Sequence, residues 1–314
     1  MSHITPVFGG GGFNEGRAFG DVSVMQDLFK LLKDNGCDHI DTAALYGQSE
    51  ELMGKAKAGD QFIVDTKTKG GFGGSASKDT ILKEAENSKK MLGHNVDIFY
   101  IHAPDPNTDL EETLEGINEV YKSGFFKRFG LSNYKAEDVE RVYNICKEKG
   151  YPLPSVYQGN YNPVARKQET LLFPTLRKLN IAFYAYSPIA GGFLTKKKQD
   201  ILDGIGRFSP DQMGGLYAKL YNRPAYLEAL GQWEKVANEE GVSPAELAYR
   251  WVTYNSPLKK ENGDAIIFGA SSTDQVKKTL GYIQSGPLSE KALKGVDGVW
   301  KTIEHEAPLD NYHL

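Results

Sequence analysis

A closed α/β barrel of eight strand–helix units, the (β/α)8 or TIM barrel, is the fold that this sequence predicts. Three observations predict it. Short runs rich in β-branched and aromatic residues occur eight times. Amphipathic stretches of helical period lie between them, and that alternation calls for a parallel sheet. Eight is also the number of units that closes such a sheet on itself.

The strand-like runs, in order, are PVFG (6–9), DHIDTA (38–43), FIVDTK (62–67), VDIFYIH (96–102), FFKRFGLS (125–132), PSVYQGNY (154–161), IAFYAYS (181–187) and AIIFGAS (265–271). The helical stretches include residues 23–36, 80–93, 110–124, 136–150, 172–180, 226–241 and 273–286, with a further helix begun by residues 48–51. Several start near Ser, Thr or Asp and stop at Gly, the usual asymmetry of helix caps. The typical barrel takes about 250 residues. The excess is assigned to one long insertion after strand 7, residues 189–225, and to an extra C-terminal helix from 288 to about 305. No Pro/Ser-rich or low-complexity linker divides the chain, so residues 1–314 read as one domain.

Composition bounds the function. With 40% hydrophobic and 25% charged residues the chain has the make-up of a soluble globular protein. A net charge of -4 and a pI near 5.9 argue against nucleic acid or an anionic membrane as partner. The start, MSHITPVFGGGG, lacks the basic and apolar regions of a signal peptide. No apolar run approaches the ~18 residues of a membrane span. Cys37 and Cys146 carry no CxxC or metal spacing and read as small buried hydrophobes in a reducing cytoplasm. The histidines at 3, 39, 94, 102, 305 and 313 never pair at ligand spacing, so no metal site is expected.

An open, doubly wound sheet is the competing fold. Gly71-Phe72-Gly73-Gly74-Ser75-Ala76 matches GxGxxA between a strand and a helix, as in dinucleotide-binding turns. The match falls on the third unit rather than the first, and Asp97 stands at the start of the next strand instead of ending it. A glycine loop beside a cleft is the better reading. Tyr143 and Lys147 form a YxxxK in a helix full of surface charge, without a glycine-rich first turn upstream, and are set aside.

In a barrel, chemistry belongs at the C-terminal ends of the strands. Those ends give Asp41, with Tyr46 in the loop beyond, then Lys67, His102, Ser132 and Asn133, Gln158, Tyr186 and Ser187, and residues 269–272. Singly, each has an ordinary explanation: a core histidine, a snorkelling lysine, a helix-capping aspartate. Their coincidence at one rim is the argument. A tyrosine near its reference pKa of ~10 is a weak acid at neutral pH, and an adjacent ammonium should lower that value. A buried lysine needs a carboxylate partner. On this logic Asp41 keeps Lys67 charged, Lys67 lowers the pKa of Tyr46, Tyr46 donates a proton to a carbonyl oxygen, and His102 orients that oxygen. Such chemistry reduces a carbonyl with hydride from a cofactor. Ser132, Asn133 and Gln158 suit a nicotinamide carboxamide, Tyr186 suits its ring and Ser187 its phosphates.

At these residues the chain resembles the aldo-keto reductases, through DTAALYGQSEE, IVDTK, NVDIFYIHAPDP, FGLSNY, QGNYN, AYSPIAGGFLT and FGASSTDQ, in order over essentially its whole length. The resemblance implies the tetrad Asp41, Tyr46, Lys67 and His102. HAPDP and the AGGFLT and GASSTDQ segments look closest to the aflatoxin-aldehyde reductase branch, with potassium-channel β subunits more distant. It further implies NADPH bound extended on the barrel, with Leu194, Lys197, Arg207, Ser271 and Gln275 among its contacts. Where the branch has Glu and Asn after Gln275, this chain has Lys278 and Thr279, and Lys277 and Lys278 add positive charge suited to a 2′-phosphate. Phe72 stands where long-loop members place a tryptophan, which implies a more open substrate pocket. Arg223, in LYNRPAY, matches an arginine that receives acidic aldehydes, which implies carboxylated substrates. A small-molecule carbonyl substrate and a monomer or homodimer are expected. The alternative is a cofactor-bound regulatory subunit like the channel β subunits.

Overall fold

The computed structural model describes residues 4–313. Eight strands close a parallel barrel in sequence order: β1 (Thr5–Gly9), β2 (His39–Asp41), β3 (Ile63–Thr68), β4 (Val96–Ile101), β5 (Phe126–Ser132), β6 (Pro154–Asn160), β7 (Ala182–Tyr186) and β8 (Ala265–Phe268). β1 pairs with both β2 and β8, which excludes the open sheet. Each strand lies within a few residues of the run that predicted it.

The outer helices follow the expected pattern. Asp21, Ser77, Asp109 and Ser272 accept backbone N–H groups at helix starts, and Gly93, Gly150 and Gly241 end helices in the left-handed conformation. After β7 the insertion comprises a 3-10 segment (Ala190–Thr195), two short helices (Lys198–Leu202, Leu216–Tyr221) and intervening turns. It leads into the helix Pro224–Glu240, against which the C-terminal helix Glu290–Ile303 packs. No helix is long and apolar enough to cross a membrane among the described residues.

Two apolar clusters result. The larger joins sheet and helices. The smaller draws on strand residues alone, with Val7, Ile98, Tyr100, Val156, Tyr184 and Ile267 among them, and so fills the lumen. Residues two apart on a strand share a face, so His39 with Asp41, and Asp65 with Lys67, also look inward. Cys37 and Cys146 are buried free thiols, and burial pushes each up to about 12.

The two competing motifs have structural explanations. A Cβ on Gly71 would sit 2.1 Å from the Pro104 carbonyl oxygen and 2.7 Å from the Tyr312 hydroxyl. Glycine is there for close packing of the loop. Tyr143 and Lys147 ride the outer helix Ala136–Lys149, where Tyr143 packs on the core.

Candidate active site

Asp41 is the last residue of β2, Lys67 lies near the end of β3, and His102 directly follows β4. All three are buried. Lys67 Nζ donates to Asp41 Oδ1 at 2.6 Å, to Asp41 Oδ2 at 2.7 Å and to the Thr42 carbonyl oxygen at 2.7 Å, which uses its three hydrogens. Gln158, from β6, donates through Nε2 to the same Asp41 Oδ1 at 2.8 Å.

Tyr46 sits in the turn beyond β2, half-buried. Asn14 braces that turn: its Nδ2 donates to the Tyr46 carbonyl oxygen at 3.2 Å, and its Oδ1 accepts the Gln48 N–H at 2.9 Å. Gly47 between them has φ +61, and a Cβ there would come 2.4 Å from Asn14 Oδ1. Glycine is therefore required twice, for conformation and for space. Lys67 Nζ lies 5.2 Å from the centroid of the Tyr46 ring. The Tyr46 and His102 rings meet edge-on at 5.7 Å, Phe72 meets His102 at 5.1 Å, and Tyr312 from the C-terminal segment meets Phe72 at 5.2 Å. The structure thus gathers Asp41, Tyr46, Lys67, His102 and Phe72 at one rim.

The electrostatics correct one expectation. The sequence argument has Lys67 lowering the pKa of Tyr46. In the structure, burial holds it well above the usual phenol value, and the Asp41 carboxylate adds to that, against a smaller pull from Arg207. The three Lys67 hydrogens are spent on Asp41 and Thr42, so no hydrogen bond from the ammonium offsets that burial. Tyr46 is a firmly protonated O–H. Burial, with the Lys67 charge, keeps His102 well below its ordinary value, so its imidazole is neutral. Its Nδ1 is buried without a hydrogen-bond partner among the described residues. Burial raises Asp41; Lys67 pulls it back, and neighbouring Asp65 pushes it up again.

The amide-rich side of the rim is internally bonded. Asn133 Nδ2 donates to the His102 carbonyl oxygen at 2.9 Å and to Ser132 Oγ at 3.1 Å, while its Oδ1 accepts from the Tyr186 hydroxyl at 2.8 Å. Asn133 and Ser187 both hold positive φ, at 60° and 55°. Non-glycine residues in that region are costly and cluster at functional sites. In the insertion, Leu194 is buried and Lys197 and Arg207 are exposed. The Arg207 guanidinium lies 5.6 Å from the Tyr217 ring, and the Tyr217 hydroxyl lies 3.3 Å from Ser187 Oγ. Beyond β8, Gln275 Oε1 accepts from both N and Oγ of Ser271, at 2.8 and 3.0 Å.

Backbone carbonyls hold the Arg223 guanidinium. Its Nη1 donates to the Glu306 carbonyl oxygen at 2.6 Å and its Nη2 to the Lys219 carbonyl oxygen at 3.2 Å. It lines a cleft of about 350 Å³ with Lys167, His305 and His313, and no member of the tetrad is in that lining. Tyr312, the wall behind Phe72, was not singled out from the sequence; its partner lies 240 positions away and left no local signal.

Sequence reasoning also passed over Asp65 and His39. Asp65 Oδ2 lies 2.7 Å from His39 Nε2, and Asp65 Oδ1 accepts the Ile98 N–H at 3.0 Å. Below them Asp97 pairs with Arg128. The donor atoms of His39, Asp65 and Asp97 lie within 4.8 Å of one another, a spacing compatible with a metal ion. Arg128 already supplies the cation there, donating to Asp97 from Nε at 3.1 Å and Nη2 at 2.5 Å. The signal was present in sequence as H-x-D and D-x-K on adjacent strands.

The fold is a parallel eight-stranded barrel with a buried ion pair, a phenol and a neutral imidazole at its carboxyl rim, and comparison with known proteins gives its class, a (β/α)8 oxidoreductase. The aldo/keto reductase family model matches residues 7–301, and the chain belongs to that family. It is 39% identical to the oxidoreductase sirO of Leptosphaeria maculans over 97% of this chain and 94% of that protein. It is 34% identical to human aflatoxin B1 aldehyde reductase member 4, over 100% and 99%. A third relative, human aflatoxin B1 aldehyde reductase member 2, is 36% identical over 92% of this chain and 85% of that one.

Proposed function

We propose that the chain works as one barrel unit that reduces an aldehyde or ketone to the alcohol with NADPH, Tyr46 supplying the proton. The observation that carries this reading is the Lys67–Asp41 pair set beneath a protonated phenol, with a neutral imidazole at its side.

The residues fit the cofactor. Ser132 keeps its own hydroxyl hydrogen and Gln158 keeps Oε1, a donor and an acceptor matched to the two ends of a carboxamide. Tyr186, Ser187 and Leu194 would flank the ring and the first phosphate. Lys197, Arg207, Ser271 and Gln275 offer exposed charge and hydrogen bonds for the remainder, and Lys277 and Lys278 add charge for a 2′-phosphate. When bound, the nicotinamide supplies hydride to the carbonyl carbon.

The protein's share is proton delivery and orientation. The Tyr46 O–H donates to the carbonyl oxygen, and His102, neutral, holds that oxygen without competing for its proton. As the proton leaves, negative charge appears on Tyr46, and Lys67 lies close enough to stabilise it while Asp41 and Gln158 keep the ammonium in place. General-acid catalysis of this kind contributes about 10²–10⁴-fold. Phe72 and Tyr312 provide an aromatic wall for the substrate's carbon skeleton.

The test is NADPH oxidation with 4-nitrobenzaldehyde, together with dissociation constants for NADPH and NADH. Turnover with the aldehyde and at least tenfold tighter NADPH support the reading. Equal constants for the two nucleotides would defeat the NADPH preference, and no turnover across an aldehyde and ketone panel would defeat the reductase.

A further inference from the structure

The floor of the site holds a second ion pair that the proposed reaction does not use. Asp41 and Asp65 are direct register partners on β2 and β3, both facing the lumen. Like charges directly opposed across strands destabilise a sheet. The neighbours on each strand answer this diagonally. Lys67, two residues beyond Asp65 on β3, reaches across to Asp41; His39, two residues before Asp41 on β2, reaches across to Asp65 at 2.7 Å. The result is a crossed quartet in the sense that each diagonal crosses between strands, with basic groups and carboxylates alternating and all four buried.

A lone lysine between two opposed carboxylates would have no reason to choose one. We propose, on the reductase reading above, that His39 is a positioning residue: as an imidazolium it neutralises Asp65 and so commits Lys67 to Asp41, under Tyr46. The groups facing His39 support a charged ring. Asp65 comes from β3, Asp97 with its partner Arg128 from β4 and β5, Tyr184 from β7 edge-on at 6.0 Å, and Asp41 from its own strand. Burial disfavours the cation, but the charge and hydrogen bond of Asp65, aided by Asp97 and opposed by Arg128, leave His39 above its ordinary pKa.

The experiment has two arms. In the first, ¹⁵N histidine NMR of the intact protein at pH 7.5 reads the ring's charge, the His39 signal being the one absent from His39→Gln. An imidazolium pattern is expected, and a neutral-tautomer pattern overturns the proposal. In the second, kcat for 4-nitrobenzaldehyde with NADPH is followed against pH. In His39→Gln the acid limb moves up by about one unit, because Asp65 is left as an uncompensated neighbour of Asp41. His39→Gln/Asp65→Asn, which removes both charges, returns the limb to the parent position. A His39→Gln profile superimposable on the parent, or a double variant no better than the single, overturns the proposal. If His39→Gln fails to fold, the His39 signal is assigned in the parent protein by its through-space contact with the Tyr184 ring, 6.0 Å away, and the first arm then decides. A parent inactive toward every carbonyl defeats the reductase reading instead, and the NMR arm still reports whether the quartet is charged as drawn.

Discussion

Gln158 and Asp41, on strands that are not neighbours, meet at 2.8 Å through the lumen, so Asp41 Oδ1 accepts from Gln158 and Lys67 at once. One carboxylate is thus the shared partner of a buried ammonium and a buried amide. Asp41→Asn should destabilise the fold by about 3–5 kcal/mol, since breaking a buried pair strands its partner's charge. Asp41→Asn/Lys67→Met should recover at least half of that loss. Urea unfolding of the parent, single and double variants checks both; a double variant no more stable than the single would contradict the account.

Tyr46→Phe removes one oxygen and little packing. Its circular dichroism and NADPH dissociation constant should match the parent, while kcat for aldehyde reduction falls by roughly 10²–10⁴-fold. A variant with more than a tenth of parental kcat would exclude Tyr46 as the proton donor.

The two lumenal histidines should tilt stability against pH in opposite directions. His102 is held below its ordinary pKa by burial and Lys67. The unfolded chain therefore takes up a proton there that the folded chain refuses, and stability is lost as pH falls below ~6.5. His39 is raised. Its contribution is complete below ~6.5 and is lost as pH climbs through its higher folded value. His102→Gln should flatten the acid side of the unfolding free-energy curve by up to ~1.4 kcal/mol per pH unit. His39→Gln should instead flatten the alkaline side. Denaturant titrations from pH 5 to 8 check the signs, and equal effects on both sides would refute the assignment.

The Tyr312–Phe72 contact predicts a substrate effect. Tyr312→Ala removes the ring that backs Phe72 against His102. KM for 4-nitrobenzaldehyde should rise roughly 2–10-fold, the worth of one aromatic contact, with KM for a short aliphatic aldehyde little changed. Parallel rises for both substrates would place Tyr312 outside the pocket.

The barrel was legible because each strand is a local apolar run and each helix a local amphipathic one. The place of Asp41, Lys67 and His102 at the carboxyl rim was legible because each ends or nearly ends such a run. What stayed hidden depends on contacts across the lumen or between distant loops. The sequence places Lys67 near Tyr46 but does not show its hydrogens spent on Asp41 and Thr42, so the direction of the Tyr46 shift came out reversed. It places Arg223 in a suggestive motif but not the Glu306 carbonyl that holds its guanidinium. Gln158 read as a rim amide, and its Nε2 bond across the lumen to Asp41 left no local signal. Gly47, by contrast, stands just before the helix begun by residues 48–51, where a turn is needed, and its φ is +61.

The crossed quartet lies wholly on β2 and β3, whereas hydroxyls and amides dominate the rims of β5 to β7. Opposite arcs of the wall can therefore drift, or be redesigned, on separate schedules. On the NADPH reading proposed above, a library aimed at nucleotide preference would randomise residues 196–208 and 271–278, sparing Arg207 for its pull on Tyr46, and leave the ionised arc as it is. Gln158 should be spared from any such library. Its amide is tied across the lumen to Asp41, and a change there would travel from one arc to the other.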